Sequence, residues 1–294
     1  MPTYIERLLC KVKPDGIKGS NTPAIYNPPN YANPGAQRAT VDESAAASED
    51  EKKLLQSVVG TLLYYSRAVD PSISPAVHAL GSIQSKPFKK DMQKLDKLLQ
   101  YVSKHRNMGI RFYASSMILQ LMSDASYLCR PKAHSVVGSL AYLGSSYGIN
   151  GPISCHSKMI SCVVASVAEA ELAGGFQIAQ VAVHFRRILH DLGYPQPPTL
   201  LRMDNTVAIS IATESINAKR SKSMDMRFFW IIDRIKQGQF SVQHIPGEYN
   251  IAHHFTKPLP RAKFWQFLNY LVINMDTETP SNQKIKTITI PKRL

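Results

Sequence analysis

Three acidic residues stand where short apolar runs stop or a helical run begins. Asp124 follows Ile118-Leu119-Gln120-Leu121-Met122-Ser123, Asp204 follows Thr199-Leu200-Leu201-Arg202-Met203, and Glu171 lies in Ala168-Glu169-Ala170-Glu171-Leu172. Reading forward from Glu171, the residues Gly175, Ile178 and Ala182 share its face at helical spacing, and all are small or apolar. The side of the helix that carries Glu171 is therefore expected to face the interior. A carboxylate there is costly unless something cationic meets it. Strand end, helix start and strand end can bring these acids to one edge of a sheet. Carboxylates at close range repel unless a hard cation such as Mg²⁺, with Mn²⁺ as the alternative, sits among them. The chemistry such a group would serve is metal-dependent cleavage of a phosphodiester.

Each acid also has a plainer reading. Asp124 could be a turn former. In Asp204-Asn205, either residue could be an ordinary helix N-cap. Glu171 could simply favour the positive end of a helix dipole.

The elements that must position these residues can be read from periodicity. Residues 1–50 are expected to be an irregular arm, because Pro23, Pro28, Pro29 and Pro34 crowd the middle with Asn and Gly between them. From Glu51 the period is helical, with Leu54, Leu55, Val58, Val59, Leu62 and Leu63 recurring at three and four. Asp70-Pro71 breaks that helix, Ser74-Pro75 starts another that stops by Pro87, and Met92 to His105 is a third. Lys89, Lys90, Lys94, Lys97 and Lys104 dress its outer side, as a solvated or a phosphate-facing surface.

At Ile110 the pattern changes to strands. Ile118–Ser123, Ser135–Leu143 and Ile153–Lys158 read as an antiparallel meander, with turn residues at Gly144-Ser145-Ser146 and from Gly148 to Gly151. A long helix from Glu169 to His190 follows, then a strand at Thr199–Met203, parallel to the first because a helix joins them. A short helix over Asn205–Ala212, a longer one over Met224–Gln237, a strand over Phe240–Ile245 and a helical piece over Ile251–Val272 complete the series. The fold class is α/β: a five-stranded mixed sheet flanked by helices and preceded by a small helical region. The expected domains are 1–50, 51–109 (helical), 110–272 (α/β) and a basic tail at 273–294.

Lys and Arg number 35 against 21 Asp and Glu, a formal net charge of +14 that favours a polyanionic partner, nucleic acid before membrane. Cys10, Cys129, Cys155 and Cys162 form no Cys-x-x-Cys pair. Cys155, His156 and Cys162 lack a second ligand pair, so zinc is not expected. No apolar run is long enough to span a bilayer, and Met1 to Cys10 is not a signal peptide.

Five segments together resemble the ribonuclease H of Ty1/copia-type retrotransposons. Ala168-Glu169-Ala170-Glu171-Leu172 is similar to that family's Ala-Glu-Ala-Glu-Tyr, and Ser123-Asp124-Ala125-Ser126 to its Ser-Asp-Ala-Asp. Met203-Asp204-Asn205-Thr206-Val207-Ala208 resembles Cys-Asp-Asn-x-x-Ala, and Lys222-Ser223-Met224-Asp225-Met226-Arg227 resembles Lys-His-Ile-Asp-Ile-Arg. His244 to Ala252, then Phe255-Thr256-Lys257-Pro258-Leu259, is similar to its terminal signature. Upstream, Val58 to Tyr64 and Asp70-Pro71-Ser72-Ile73 resemble the segment that joins polymerase to ribonuclease H. The resemblance covers roughly residues 50–272.

It implies a ribonuclease H-like fold, with residues 51–109 as a remnant of the reverse-transcriptase connection. The implied activity is metal-dependent hydrolysis of the RNA strand of RNA–DNA hybrids, with Mg²⁺ or Mn²⁺ held by Asp124, Glu171 and Asp204. The implied partners are the hybrid and the rest of a Pol polyprotein, inside the cell, in cytoplasm or virus-like particles. His253 stands where the family has a fourth acid; an imidazole can bind a metal or shuttle a proton, but lacks the negative charge that holds Mg²⁺. It is counted with the catalytic candidates. Ser223 replaces the family's histidine, and the Tyr-x-Asp-Asp motif of the polymerase does not occur in the chain. The alternative is therefore a catalytically impaired domain that still grips nucleic acid. An integrase or transposase is a weaker reading, since no glutamate stands about 35 residues after Asp204, where Gln239 and Phe240 lie.

Overall fold

The computed structural model describes residues 2–13, 16–28, 43–144, 148–214, 226–276 and 286–287. In chain order the longer elements are α1 (Pro2–Val12), α2 (Glu49–Ala68), α3 (Ser74–Gly81), α4 (Lys89–Lys104), β1 (Leu119–Arg130), β2 (His134–Leu143) and β3 (Pro152–Met159). There follow α5 (Val167–Asp191), β4 (Thr199–Met203), α6 (Thr206–Ala212), α7 (Met226–Lys236), β5 (Phe240–His244) and α8 (Arg261–Leu271). The chain divides into two compact units, Met1–Arg111 with Pro258–Gln283, and Phe112–Lys257 with Lys284–Leu294. Among the described residues, no helix is long and apolar enough to cross a membrane.

The first unit is helical. Ser48 caps α2 reciprocally: its hydroxyl accepts from the Glu51 N–H at 3.2 Å while the Glu51 carboxylate accepts from the Ser48 N–H at 2.7 Å. Leu55, Val58, Val59 and Leu62 of α2 are buried with Leu95, Leu98, Leu99 and Val102 of α4. The first fifty residues are not irregular throughout, as expected above, because Pro2–Val12 is a helix. Ile5 and Leu8, one turn apart, are buried, and Tyr4 stacks on Tyr65 of α2 at 6.4 Å. A helix this short is marginal alone and is held by its packing, which leaves only a faint periodic signal. Residues 29–42 of the arm and residues 277–285 and 288–294 of the tail lie outside the described residues. So do residues 145–147 of the expected turn and residues 222–225 of the Lys-Ser-Met-Asp segment.

The second unit is built on a five-stranded sheet in the order β3-β2-β1-β4-β5. The pairs β1–β2 and β2–β3 are antiparallel, whereas β1–β4 and β4–β5 are parallel. This is the mixed ribonuclease H-like sheet expected from the sequence, including the parallel placement of Thr199–Met203 beside the first strand. One face of the sheet presents Leu119, Leu121, Val137, Ala141, Leu201 and Phe240 to Ile178 and Ala182 of α5 and to Phe228 and Ile231 of α7. Truncating a fully buried member such as Leu121 or Ile178 to alanine would cost about 2–5 kcal/mol.

Two expectations about local structure need correction. The first strand does not end at Asp124; β1 continues to Arg130, and Asp124 is paired with Gly138 in mid-ladder. What ends near Asp124 is the parallel pairing on its other side, where β4 runs out at Met203. The apolar run read from the sequence stops before Asp124, and Ala125, Ser126 and Tyr127 beyond it are only half-buried. The helical piece expected over Ile251–Val272 is two elements, a 3₁₀ turn at Ile251–Phe255 and α8, parted by Pro258 and Pro260.

Candidate metal and active site

Each acid is delivered by a different element, and in each case a neighbour takes the structural role that the acid might have filled. Asn205, not Asp204, caps α6: its side-chain oxygen accepts from the Ala208 N–H at 2.9 Å. Asp204 is thus left at the end of β4 without a capping duty. At the start of α5, the Ser166 hydroxyl accepts from the Glu169 N–H and the Glu169 carboxylate accepts from the Ala165 N–H at 2.6 Å. Glu169 is the first-turn acid. Glu171 therefore lies just past the first turn, not in it as expected from the sequence, and is only 3% exposed. The small face of α5 lets it lie on β1, so that a Cβ added to Gly174 would be 3.4 Å from the Asp124 carbonyl oxygen. One turn earlier on that face, Glu171 Oε1 accepts from the Ala125 N–H at 3.1 Å.

The fourth residue arrives on the loop after β5. Pro246-Gly247 turns the chain, and Asn250 pins the following 3₁₀ turn to the first strand: its Nδ2 donates to the Ser123 carbonyl at 2.9 Å, and its Oδ1 accepts from the Ala252 N–H at 3.1 Å. His253 is thereby held between two acids, with Nδ1 2.7 Å from Asp124 Oδ2 and Nε2 3.2 Å from Asp204 Oδ2. The Nδ1 approach is an ionic contact without the alignment of a hydrogen bond. Thr256 Oγ1 donates to the same Asp124 Oδ2 at 2.8 Å. His254, the next residue, is buried with its ring edge-on to Phe255, at a centroid distance of 5.2 Å.

The electrostatics follow from this crowding. Burial, reinforced by the charges of Asp124 and Asp204, pushes the Glu171 carboxyl up to about 9, against the opposing pull of the Ala125 N–H and His253. For His253, burial favours the neutral ring, but the contacts with Asp124 and Asp204 outweigh it and raise the imidazole to about 9. In effect the imidazolium stands where a cation is wanted.

The donor set fits a divalent cation. Ligand atoms of Asp124, Asp204 and His253 lie within 4.8 Å of one another. Glu171 Oε2 is buried and has no hydrogen-bond partner, an expensive state for a carboxylate oxygen unless something else is to be bound there. The structure thus brings Asp124, Asp204 and His253 together, and places Glu171 close enough to be titrated by the two aspartates.

Sequence reasoning gave no role to Gly138, Asn250 or Thr256, and read Gly247 only as part of the turn Pro246-Gly247. A Cβ on Gly138 would lie 2.6 Å from the Ala252 carbonyl oxygen and 2.7 Å from Phe255 Cβ, so only glycine lets the 3₁₀ turn settle on β2 beside Asp124. A Cβ on Gly247 would lie 2.9 Å from His253 Nε2 and 3.1 Å from Asp204 Oδ2. Gly247, Asn250 and Thr256 were visible as members of the terminal signature; Gly138 carried no local signal.

The fold and the acid cluster define an α/β domain of ribonuclease H-like architecture with a candidate cation site at the central strands β1 and β4. No protein-family model matches the chain. In sequence it is similar to retrovirus-related Pol polyproteins of plant transposons. It is 27% identical over 261 residues to the polyprotein of transposon TNT 1-94 from Nicotiana tabacum, covering 89% of this chain and 19% of that protein. It is 28% identical over 216 residues to that of transposon RE1 from Arabidopsis thaliana, covering 72% of this chain and 14% of that protein. The chain thus spans less than a fifth of the length of these relatives. Among solved structures, LC11-RNase H1 in complex with an RNA/DNA hybrid aligns with a TM-score of 0.38 at 15% identity, over 47% of this chain and 93% of that one. The foamy viral protease-reverse transcriptase in complex with an RNA/DNA hybrid aligns with a TM-score of 0.43 at 13% identity, over 85% of this chain and 28% of that one.

Proposed function

We propose that this chain is the ribonuclease H part of a Ty1/copia-type retrotransposon reverse transcriptase and hydrolyses the RNA strand of RNA–DNA hybrids with a divalent cation. The observation that carries the reading is the meeting of Asp124, Asp204 and His253, beside a buried Glu171 whose carboxyl feels both aspartates and whose Oε2 has no hydrogen-bond partner. In this reading Asp124, Glu171 and Asp204 hold the cation. When bound, the cation supplies Lewis-acid stabilisation of the charge that builds on the scissile phosphate. Thr256 and His253 fix the orientation of the Asp124 carboxylate. Asn250 keeps the loop that bears His253 against β1. The net charge of +14 supports a polyanionic substrate held through its sugar-phosphate backbone, with 2′-hydroxyls marking the RNA strand. The other polypeptide partner would be the remainder of a Pol polyprotein.

The experiment is direct. The purified chain should cut the RNA of a labelled hybrid in Mg²⁺ or Mn²⁺, and Asp124→Asn should abolish the cutting. Equal cutting by the wild type and the variant would refute the assignment.

One observation favours a second reading, a catalytically impaired domain that binds nucleic acid. The His253 ring already bridges Asp124 and Asp204 and could exclude a metal. That reading predicts salt-sensitive hybrid binding with no cleavage in either metal, and rescue of cleavage by His253→Asp.

A further inference from the structure

We infer that His253 is itself a metal ligand and that it biases this site towards Mn²⁺ and away from Mg²⁺. The inference rests on the reading of the cluster as a divalent-cation site. Mg²⁺ takes oxygen donors, keeps several of its waters and tolerates little departure from octahedral geometry. Imidazole nitrogen suits first-row transition ions, and Mn²⁺, the first of that series, also takes the carboxylate and water donors that suit Mg²⁺.

Three features make the nitrogen a member of the set rather than a bystander. Both ring nitrogens of His253 lie against acid oxygens, at 2.7 and 3.2 Å, so a cation held by Asp124 and Asp204 would meet the ring. The ring packs close over Gly247, where a Cβ would lie 2.9 Å from Nε2. Asp124 Oδ2 already receives the Thr256 hydroxyl at 2.8 Å as well as His253 Nδ1, which lowers its share as an oxygen donor. Against these, Glu171 Oε2 remains buried and unpartnered, which keeps hard oxygen character in the site and favours Mn²⁺ over softer ions.

The test has a readout independent of catalysis. Pulsed electron paramagnetic resonance of Mn²⁺ bound to the full chain should show modulation from a directly coordinated ¹⁴N nucleus, and His253→Asp should remove it. Calorimetric titrations should show the ratio of Mn²⁺ to Mg²⁺ affinity falling by roughly tenfold in His253→Asp. Bound Mn²⁺ without nitrogen modulation in the wild type, an unchanged affinity ratio, or no Mn²⁺ binding at all would overturn the inference. Hybrid cleavage measured in parallel separates the two readings. Cleavage abolished by Asp124→Asn but with no ¹⁴N signal overturns the ligand role alone. Nitrogen-coupled Mn²⁺ with no cleavage in either metal supports the ligand role and overturns the enzymatic reading.

Discussion

Two buried acids in this chain have opposite surroundings. In the helical unit, Asp70 is 1% exposed, and its Oδ1 accepts from both the N–H and the hydroxyl of Ser72, whose hydroxyl in turn lies 3.1 Å from the Tyr101 hydroxyl. In the α/β unit, Glu171 is 3% exposed, has one oxygen on the Ala125 N–H and the other on nothing, and shares its surroundings with Asp124 and Asp204. Burial alone therefore does not mark a site. Asp70 caps the 3₁₀ turn Pro71–Ile73, and its donors are met within two residues of sequence. Glu171 keeps an unmet acceptor, and burial beside the charges of Asp124 and Asp204 pushes its carboxyl up to about 9.

The largest effect that would sharpen this contrast is on cleavage. Asp124→Asn or Glu171→Gln should reduce hybrid hydrolysis by about 100-fold or more, since losing a ligand exceeds the 10–100-fold typical of losing a partner in the outer shell. Asp70→Ala should leave hydrolysis per folded molecule unchanged. Gel assays of the three variants under one metal concentration check this, and a comparable loss in Asp70→Ala would break the contrast.

Stability should respond the other way. Asp70→Ala removes the acceptor of the Ser72 N–H and should cost about 1–3 kcal/mol in denaturant unfolding. Its pH dependence has a definite sign. Burial raises the Asp70 carboxyl from 3.8 to about 6, so the folded state binds more protons than the unfolded chain between those values. The contribution is fully present below about pH 4 and is lost as pH rises through about 6, a fall of up to about 3 kcal/mol. Asp70→Asn should flatten that fall in a pH series of unfolding midpoints. Glu171→Gln should stabilise the metal-free protein by about 1 kcal/mol or more near pH 7, because a carboxyl pushed up to about 9 must take up a proton on folding and the amide need not. Destabilisation by that variant would indicate that Glu171 is satisfied in a way the geometry does not show.

The smallest effect concerns the close contact behind His253. Gly247→Ala should leave the unfolding midpoint nearly unchanged but weaken Mn²⁺ binding several-fold, because the new methyl displaces the imidazole by only a few tenths of an ångström. Calorimetry beside thermal unfolding separates the two quantities.

Much of this arrangement was legible in the sequence, for identifiable reasons. The strands β2, β3, β4 and β5 and the helix α5 carry apolar periods long enough to read, and the parallel placement of β4 follows from the helix before it. The acids were legible because each sits at the edge of such a period. What the chain alone concealed depends on tertiary approach. The continuation of β1 past Asp124 is held by pairing with β2, not by its own pattern. The helix α1 exists because Ile5 and Leu8 find a surface to bury against. The roles of Gly138, Asn250 and Thr256 depend on contacts across more than a hundred residues, such as Thr256 to Asp124, that no local pattern encodes.

If Asp124, Glu171 and Asp204 share a divalent cation, as proposed, that cation should be visible among them. Anomalous-difference density from crystals grown in Mn²⁺ tests it most directly. A peak is expected within bonding distance of Asp124 and Asp204 carboxylate oxygens, with Glu171 Oε2 turned towards it. An Mn²⁺-saturated crystal with no peak among these three acids would contradict it.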